Sequence, residues 1–241
     1  MANLSKCRCL SKWRSLDMIS FELYIFSWDD GKILIPREWI SFALNLNVKK
    51  ILLEGDILDS DNIPDCIFRS KSLVVLELVM SKSLLKKMES IFLQNLRELR
   101  LRDLMIDGDA IEILVPSCSS LEYMLIICCD FLSQHLTIPA SGLQKLIICQ
   151  CGSFGYNSLK LQSPMLSELA LGGNIIEEYE LMSLPCFSFA NVSLREFLEG
   201  KMSIDVIVRL AIKLYKELKT APQLLLNKWF IEVTVLLLQT A

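Results

Sequence analysis

The sequence predicts an α/β solenoid of stacked parallel strands that ends in a C-terminal helical cap. Three observations predict it. A pattern Leu-x-x-Leu-x-Leu, with conservative replacements, recurs as Val48/Ile51/Leu53, Leu73/Leu76/Leu78, Leu96/Leu99/Leu101, Leu121/Met124/Ile126, Leu143/Leu146/Ile148, Leu166/Leu169/Leu171 and, degraded, Leu194/Phe197. The first anchors are 25, 23, 25, 22, 23 and 28 residues apart, the period of a leucine-rich repeat. Hydrophobic residues make up 52% of the 241-residue chain, as expected where parallel strands are covered on both faces. Residues 1–17 read as an N-terminal cap, 18–200 as the leucine-rich repeat domain, and 201–241 as a C-terminal cap or an imperfect last repeat.

Each unit is a short strand in this reading. Counting its first anchor as position 0, the anchors at positions 3 and 5 share one face. Parallel neighbours need a crossover of a dozen or more residues, which the intervals supply. A weaker unit, Met18/Phe21/Leu23, is a candidate first strand. Pro36 to Leu46 reads as a helix with Trp39, Phe42 and Ala43 toward the stack, and Pro36 suits its first turn. Ser83 to Leu93 carries a helical stripe of Leu84, Leu85, Met88, Ile91 and Phe92. Asp109 and Glu112 have capping-box spacing ahead of Val115. The segment Cys151 to Asn157 is turn-rich, and Pro64, Pro139 and Pro164 interrupt regular helix. Ile204, Ile207, Val208, Ala211, Leu214, Tyr215 and Leu218 repeat at helical spacing behind Ser203 as N-cap, and Thr220-Ala221-Pro222 ends the run. Residues 223–241 fit a final strand or a second helix.

A net charge of −3 gives no basic excess of the kind that marks nucleic-acid binding. No uncharged stretch reaches the roughly 18 apolar residues of a membrane span. The N-terminal Met1 to Cys9 has no apolar signal core, so an intracellular chain, in cytoplasm or nucleus, is expected. The nine cysteines are then reduced thiols. Cys128, Cys129, Cys149 and Cys151 invite a zinc reading, but their spacing fits no zinc pattern. Cys129, Cys151 and Asn174 sit at position 8, where leucine-rich repeats use Asn or Cys to satisfy backbone groups. No metal and no cofactor are expected.

Positions 2, 4 and 6 should line the concave face. They run Lys50, Leu52, Glu54; Val75, Glu77, Val79; Glu98, Arg100, Arg102; Tyr123, Leu125, Ile127; Lys145, Ile147, Cys149; Glu168, Ala170, Gly172. Tyr123, Leu125, Ile127 and Ile147 would form a contiguous apolar patch, and such patches rimmed by charge mark interaction sites. The partner-binding residues assigned here are Tyr123, Leu125, Ile127, Lys145, Ile147, Arg100, Arg102 and Glu77, with a target protein as occupant. Arg97, Arg100 and Arg102 read as a solvated charged face, since Glu98 and Asp103 adjoin them. Catalytic constellations are absent from the pattern. His135, the one histidine, has no nucleophile–base neighbour in sequence. Gly172-Gly173-Asn174 lacks the other glycines of a phosphate loop and reads as a turn. A non-enzyme is expected.

Several phrases carry a family resemblance. Trp39 to Leu44 followed by Asn47 to Leu53 resembles "Trp-Ile, then Val-x-x-Leu-x-Leu". Ile63 to Leu73 resembles "Leu-Pro, then Leu-Phe, then Ser-Leu". Cys118-Ser119-Ser120-Leu121-Glu122 resembles "Cys-Pro-x-Leu-Glu", and Ser163-Pro164-Met165-Leu166 resembles "Ser-Pro-x-Leu". Over about Met18 to Gly200 the chain resembles the repeat region of plant F-box/LRR proteins of the FBD type. The resemblance implies the substrate-recognition part of an SCF (Skp–cullin–F-box) ubiquitin ligase, a role in ubiquitin-dependent degradation. Only Leu10 to Leu16 resembles the end of an F-box, and the preceding helices of that domain have no counterpart here, so residues 1–17 are expected to be either a residual F-box end or the N-terminal cap. Leu10, Trp13 and Leu16 are the residues that would touch the Skp adaptor. The alternative is a decoy or truncated repeat protein that binds a target without a ligase role.

Overall fold

The computed structural model describes residues 20–25, 37–56, 63–81, 83–151, 158–174, 176–182, 188–195 and 203–238. In chain order the elements are β1 (Ser20–Ile25), α1 (Arg37–Asn45), β2 (Lys50–Asp56), a 3-10 turn (Asp65–Arg69), β3 (Val75–Ser81), β4 (Leu84–Leu85), β5 (Glu98–Arg102), β6 (Met105–Ile106), α2 (Gly108–Ser117), β7 (Tyr123–Ile127), β8 (Asp130–Phe131), β9 (His135–Pro139), β10 (Lys145–Cys151), β11 (Ser158–Gln162), β12 (Glu168–Asn174), β13 (Glu178–Met182), β14 (Phe189–Arg195), α3 (Ile204–Leu218), β15 (Gln223–Leu226) and α4 (Lys228–Leu238).

These form a leucine-rich repeat solenoid. Its spine is a nine-stranded sheet in the order β1-β2-β3-β5-β7-β10-β12-β14-β15, and every neighbouring pair is parallel. Behind it lie two three-stranded sheets, β4-β6-β8 and β9-β11-β13. The anchors explain the stacking. Val48, Ile51, Leu73, Leu76, Leu78, Leu96, Leu99, Leu101, Met124, Ile126, Leu143, Leu146 and Leu166 are fully buried. Each such burial contributes about 1.5–3 kcal/mol. The register aligns position 3 with position 3, for example Leu76 with Leu99 and Leu99 with Met124. A second periodic device sits at position 1. The carbonyls of Lys49, Val74, Arg97, Glu122, Gln144 and Ser167 each accept two consecutive amides from the next unit.

The strand ends share a third device. Asp103, Cys128 and Gln150, all at position 7, have φ of 56°, 53° and 55°, and Gly173 at the same position has φ of 118°. Position 7 thus takes a positive φ in four consecutive units: beyond the strand end at Asp103 and Cys128, and within the strand at Gln150 and Gly173. The register skips Gln150, which makes it a bulge between Cys149 and Cys151. Gly172-Gly173-Asn174 belongs to β12 and pairs with β14, so the segment is strand and not the expected turn.

The crossovers part from expectation at defined points. In α1 it is Ile40 and Ala43 that are buried, with Trp39 and Phe42 half-buried. The helix ends at Asn45, and two residues on Asn47 has a φ of 55°, the left-handed conformation that commonly follows a helix. Residues 83–93 are extended and irregular, not helical. The Ser83 and Leu85 carbonyls accept the amides of Met105 and Asp107, so pairing between crossovers overrides the apolar period. The cap of α2 is Asp107, whose side chain accepts from the Asp109 amide at 3.4 Å, and not Asp109 itself. Ser203 stands at the N-cap of α3 without a side-chain bond; its carbonyl serves Val206 and Ile207.

The seventh unit lies in a different phase from Leu194/Phe197. Ala190 and Val192 pair with Leu169 and Leu171, so they hold positions 3 and 5. Leu194 is buried but sits opposite Gly173, and Phe197 lies outside the described residues. An eighth unit follows in β15, where Leu224 and Leu226 pair with Ala190 and Val192. Residues 223–238 are therefore both a strand and a helix. At the other end β1 places Phe21 and Leu23 beside Ile51 and Leu53, as the weak first unit requires; its Met18 is outside the described residues. Residues 152–157 and the N-terminal segment with Leu10, Trp13 and Leu16 also lie outside them.

Candidate functional site: the open face of the sheet

Positions 2, 4 and 6 point away from the core on every described repeat strand. The burial pattern alternates accordingly in β5 and β10. Register sets these residues in rows. Position 4 runs Glu22, Leu52, Glu77, Arg100, Leu125, Ile147, Ala170, Asn191, Leu225. Cross-strand neighbours in a row are close enough to interact, and much of the chemistry of the face follows from that.

The assigned partner-binding residues are brought together, on β3, β5, β7 and β10. Glu77 is 9% exposed and lies between two guanidinium groups, Arg100 at 3.4 Å and Arg102 at 3.7 Å. Arg100 also donates to Glu98 at 2.7 Å and stands 5.5 Å over the Tyr123 ring. Arg100 and Arg102 thus share two carboxylates, Glu77 and Glu98, in a network more ordered than a solvated charged face. Arg97, at position 1, belongs to a different edge and pairs with Glu122 at 3.5 Å. Lys145 pairs with Glu168 at 2.6 Å. Equal repeat positions with opposite charge in consecutive units, Glu77 with Arg100 and Lys145 with Glu168, were the sequence signal for these pairs.

The apolar patch is contiguous, since Leu125 pairs with Ile147 and Ile127 with Cys149. It is shallower than the alternation rule implies. Leu125 is only 5% exposed, and Tyr123, Ile127 and Ile147 are half-buried. The flanking Arg100 and Ile147 in its row are larger than a flat map allows for. Ala170 and Gly172 on β12 follow, so the face dips beyond Ile147 and Cys149. A Cβ on Gly172 would lie 3.1 Å from Cys149 Sγ.

Two of the four clustered cysteines, Cys129 and Cys151, bond backbone carbonyls near the strand ends. The Cys129 thiol donates to the Ile127 carbonyl at 3.3 Å, and the Cys151 thiol to the Ile126 and Cys149 carbonyls at 3.5 and 3.3 Å. That is the position-8 role. The hydrogen bond with Cys129, and then burial, push the Cys151 thiol far up; burial raises Cys149, and burial with the nearby Asp103 carboxylate raises Cys128. Such thiols are poor thiolates. Among the described residues, no group of three or more His, Cys, Asp or Glu is placed to hold a metal ion. Burial also pushes Cys118 up to about 12.

One neighbour was invisible in the sequence. His135 does have a hydroxyl partner: its Nδ1 lies 2.7 Å from Ser158 Oγ, supplied by the next crossover strand. The pair borders a cleft of about 340 Å³ lined also by Glu177, Glu178, Leu210 and Lys213. Glu178 stands beside Ser158 on β13, not beside His135, so no carboxylate in this row orients the imidazole as a triad requires.

Residues 37–181 match the family model described as the LRR repeats of the FBD-associated F-box protein At5g56370. The chain belongs to this family. The match covers α1 through β13, except for Met182, and includes the charged and apolar residues of β3, β5, β7 and β10. No curated protein and no solved structure matches the chain. The repeats of this F-box-associated family form a protein-binding module, and no helix among the described residues is long and apolar enough to cross a membrane.

Proposed function

We propose that residues 18–200, closed by 201–241, form the target-recognition body of an SCF-type ubiquitin ligase subunit. In this role the chain holds a target protein on the open sheet face while other subunits carry out ubiquitin transfer in cytoplasm or nucleus. The body is non-catalytic: its part is to bind and orient. The observation that carries the reading is the face itself. A solenoid needs positions 0, 3 and 5 for its core, yet here positions 2, 4 and 6 bring Tyr123, Arg100, Ile127 and Ile147 together on adjacent strands, and Tyr and Arg are the residue types enriched among interface anchors. The family's F-box association supports the ligase context.

Two measurements test it. A photo-crosslinking residue in place of Ile127 should capture a bound protein, whereas the same residue in place of Lys160 on β11, in the layer behind, should not. Equal capture at both positions would remove the open face as the binding surface. Co-elution of the chain with purified Skp adaptor tests the ligase context, with Leu10, Trp13 and Leu16 as the residues whose alanine variants should abolish it.

A further inference from the structure

The open face is chemically polarised. In its rows at positions 4 and 6, the strip from β5 to β14 holds two cationic side chains, Arg100 and Arg102, and no carboxylate. The carboxylates nearest to it in sequence lie elsewhere: Glu77 one strand earlier, Glu98 and Glu168 in the position-2 row, Asp103 just beyond the end of β5, and Asp130 on β8. Arg102 makes one long ion pair, 3.7 Å to a Glu77 carboxylate that Arg100 also engages. Its side chain remains 41% exposed. A guanidinium offers five donors in a fork that fits a carboxylate bidentately; the Nε of Arg102 is buried without a hydrogen-bond partner, so what the fork can offer an incoming acceptor is its Nη groups. Beyond it the strip turns apolar at Ile127 and Ile147, then drops at Ala170 and Gly172.

From this polarity we infer that the strip receives an extended segment of a protein partner that carries an acidic side chain two residues from a large apolar one. The inference rests on the protein-binding reading above and gives it a recognition rule. Sheet strands lie about 4.8 Å apart, so β7, β10 and β12 stand roughly 5, 10 and 14 Å from β5. An extended segment advances about 3.4 Å per residue and returns a side chain to the same face every second residue. With the acid over Arg100 and Arg102, the residue two places on falls about 7 Å away, between Ile127 on β7 and Ile147 on β10. The residue four places on falls about 14 Å away, over the dip at Ala170 and Gly172, where small side chains leave room for a bulky one.

The test is selection of a random peptide display library on the full chain, followed by fluorescence anisotropy with the selected peptides. Selected peptides should carry Asp or Glu two residues from a large apolar residue. Arg102→Gln should weaken them roughly tenfold, within the range for paired interface charges, and Asp→Asn in the peptide should cause the same loss with little added to Arg102→Gln. Ala170→Arg should fill the dip and abolish binding. Circular dichroism melting of both variants should match the parent, because neither side chain enters the core. Peptides that compete for the face, are lost on Ala170→Arg, yet show no acidic preference would overturn this rule while leaving the protein-binding reading intact. Peptides insensitive to Ala170→Arg, or no enrichment at all, would overturn the rule and count against the face itself; crosslinking at Ile127 then decides the latter separately.

Discussion

Two adjacent glycines on β12 should respond oppositely to rescue. A Cβ at Gly173 would stand 3.1 Å from Gln150 N and 3.3 Å from Gln150 Cα, and φ there is 118°. Both obstacles are backbone. An L residue held in such a sparsely populated region costs about 1–3 kcal/mol, and displacing a paired strand adds on the order of 1 kcal/mol. The entropy gained by removing glycine from the unfolded chain returns about 0.4–1 kcal/mol. Gly173→Ala should therefore destabilise by about 2–3 kcal/mol, a fall in melting temperature of roughly 5–10 °C for a chain of this size. At Gly172 the near atom is Cys149 Sγ at 3.1 Å, a side-chain atom. Gly172→Ala should cost about 1 kcal/mol or less.

The decisive comparison is a double-mutant cycle read by urea unfolding. Cys149→Ala removes the atom that Gly172→Ala strikes, so the pair should be non-additive and the alanine at 172 should become neutral. Gln150→Ala leaves the backbone N and Cα in place, so it should not relieve Gly173→Ala. Rescue of Gly173→Ala by Gln150→Ala would refute the backbone argument, and an unaltered melting curve for Gly173→Ala alone would refute the need for a positive φ at that position.

Three further outcomes are expected. Cys118 is a buried thiol pushed up to about 12 from 9.0; below pH 9 both states hold the proton, and between pH 9 and 12 only the unfolded state releases it. Stability should then fall as pH rises, by about 1.4 kcal/mol per unit from this group, and urea midpoints at pH 8 and 10.5 should converge for Cys118→Ala relative to the parent; an identical slope would sink the assignment. Ser163 is fully buried with Oγ at 2.8 Å from the Ala140 carbonyl and 3.1 Å from that of Leu143, so Ser163→Ala should cost about 1–3 kcal/mol. Ser119→Ala, at an exposed 3.5 Å bond, should stay within about 0.5 kcal/mol in the same denaturation series. Under native iodoacetamide treatment Cys128, which is exposed, should be modified before the buried Cys118, Cys129 and Cys151, as peptide mass mapping would show; earlier loss of Cys129 would mean that its turn opens.

The core was legible because a single pattern recurs and nearly every anchor serves the same purpose. Val48, Leu76, Leu99 and Ile126 need no knowledge of their neighbours to be placed. Legibility failed where local strength and long-range pairing disagree. Leu194 and Phe197 are stronger hydrophobes than Ala190 and Val192, yet pairing with β12 selects the smaller residues. Leu84, Leu85, Met88, Ile91 and Phe92 keep helical spacing, yet the amides of Met105 and Asp107 require extended carbonyls at Ser83 and Leu85. The eight assigned face residues were legible because alternation fixes which side of the strand they occupy. The burial of Leu125 was not, because it depends on how its row neighbours lean over it. The contact between His135 and Ser158 spans 23 residues and exists only once β9 and β11 are in register.

The same division separates what holds the solenoid from what it presents. Positions 0, 3, 5 and 8 answer to the core and the turns, and position 1 to the shared carbonyls. Positions 2, 4 and 6 answer to neither, so their composition is informative about surface shape and charge. Gly172 makes the point sharply. Glycine weakens a strand, and among the described glycines only Gly173 has positive φ, so backbone conformation gives Gly172 no reason to be glycine. Its one tight neighbour is a side-chain sulfur that can shift. Ala170, beside it on the same face, is likewise small where Ile147 precedes it. Two small residues in successive open-face positions of one strand lower the surface where the fold would accept larger side chains, on the same face as the network of Arg100, Arg102, Glu77 and Glu98. On the proposed reading, a strand that gives up packing strength there is accounted for by a partner seated on the face, and not by what the core requires.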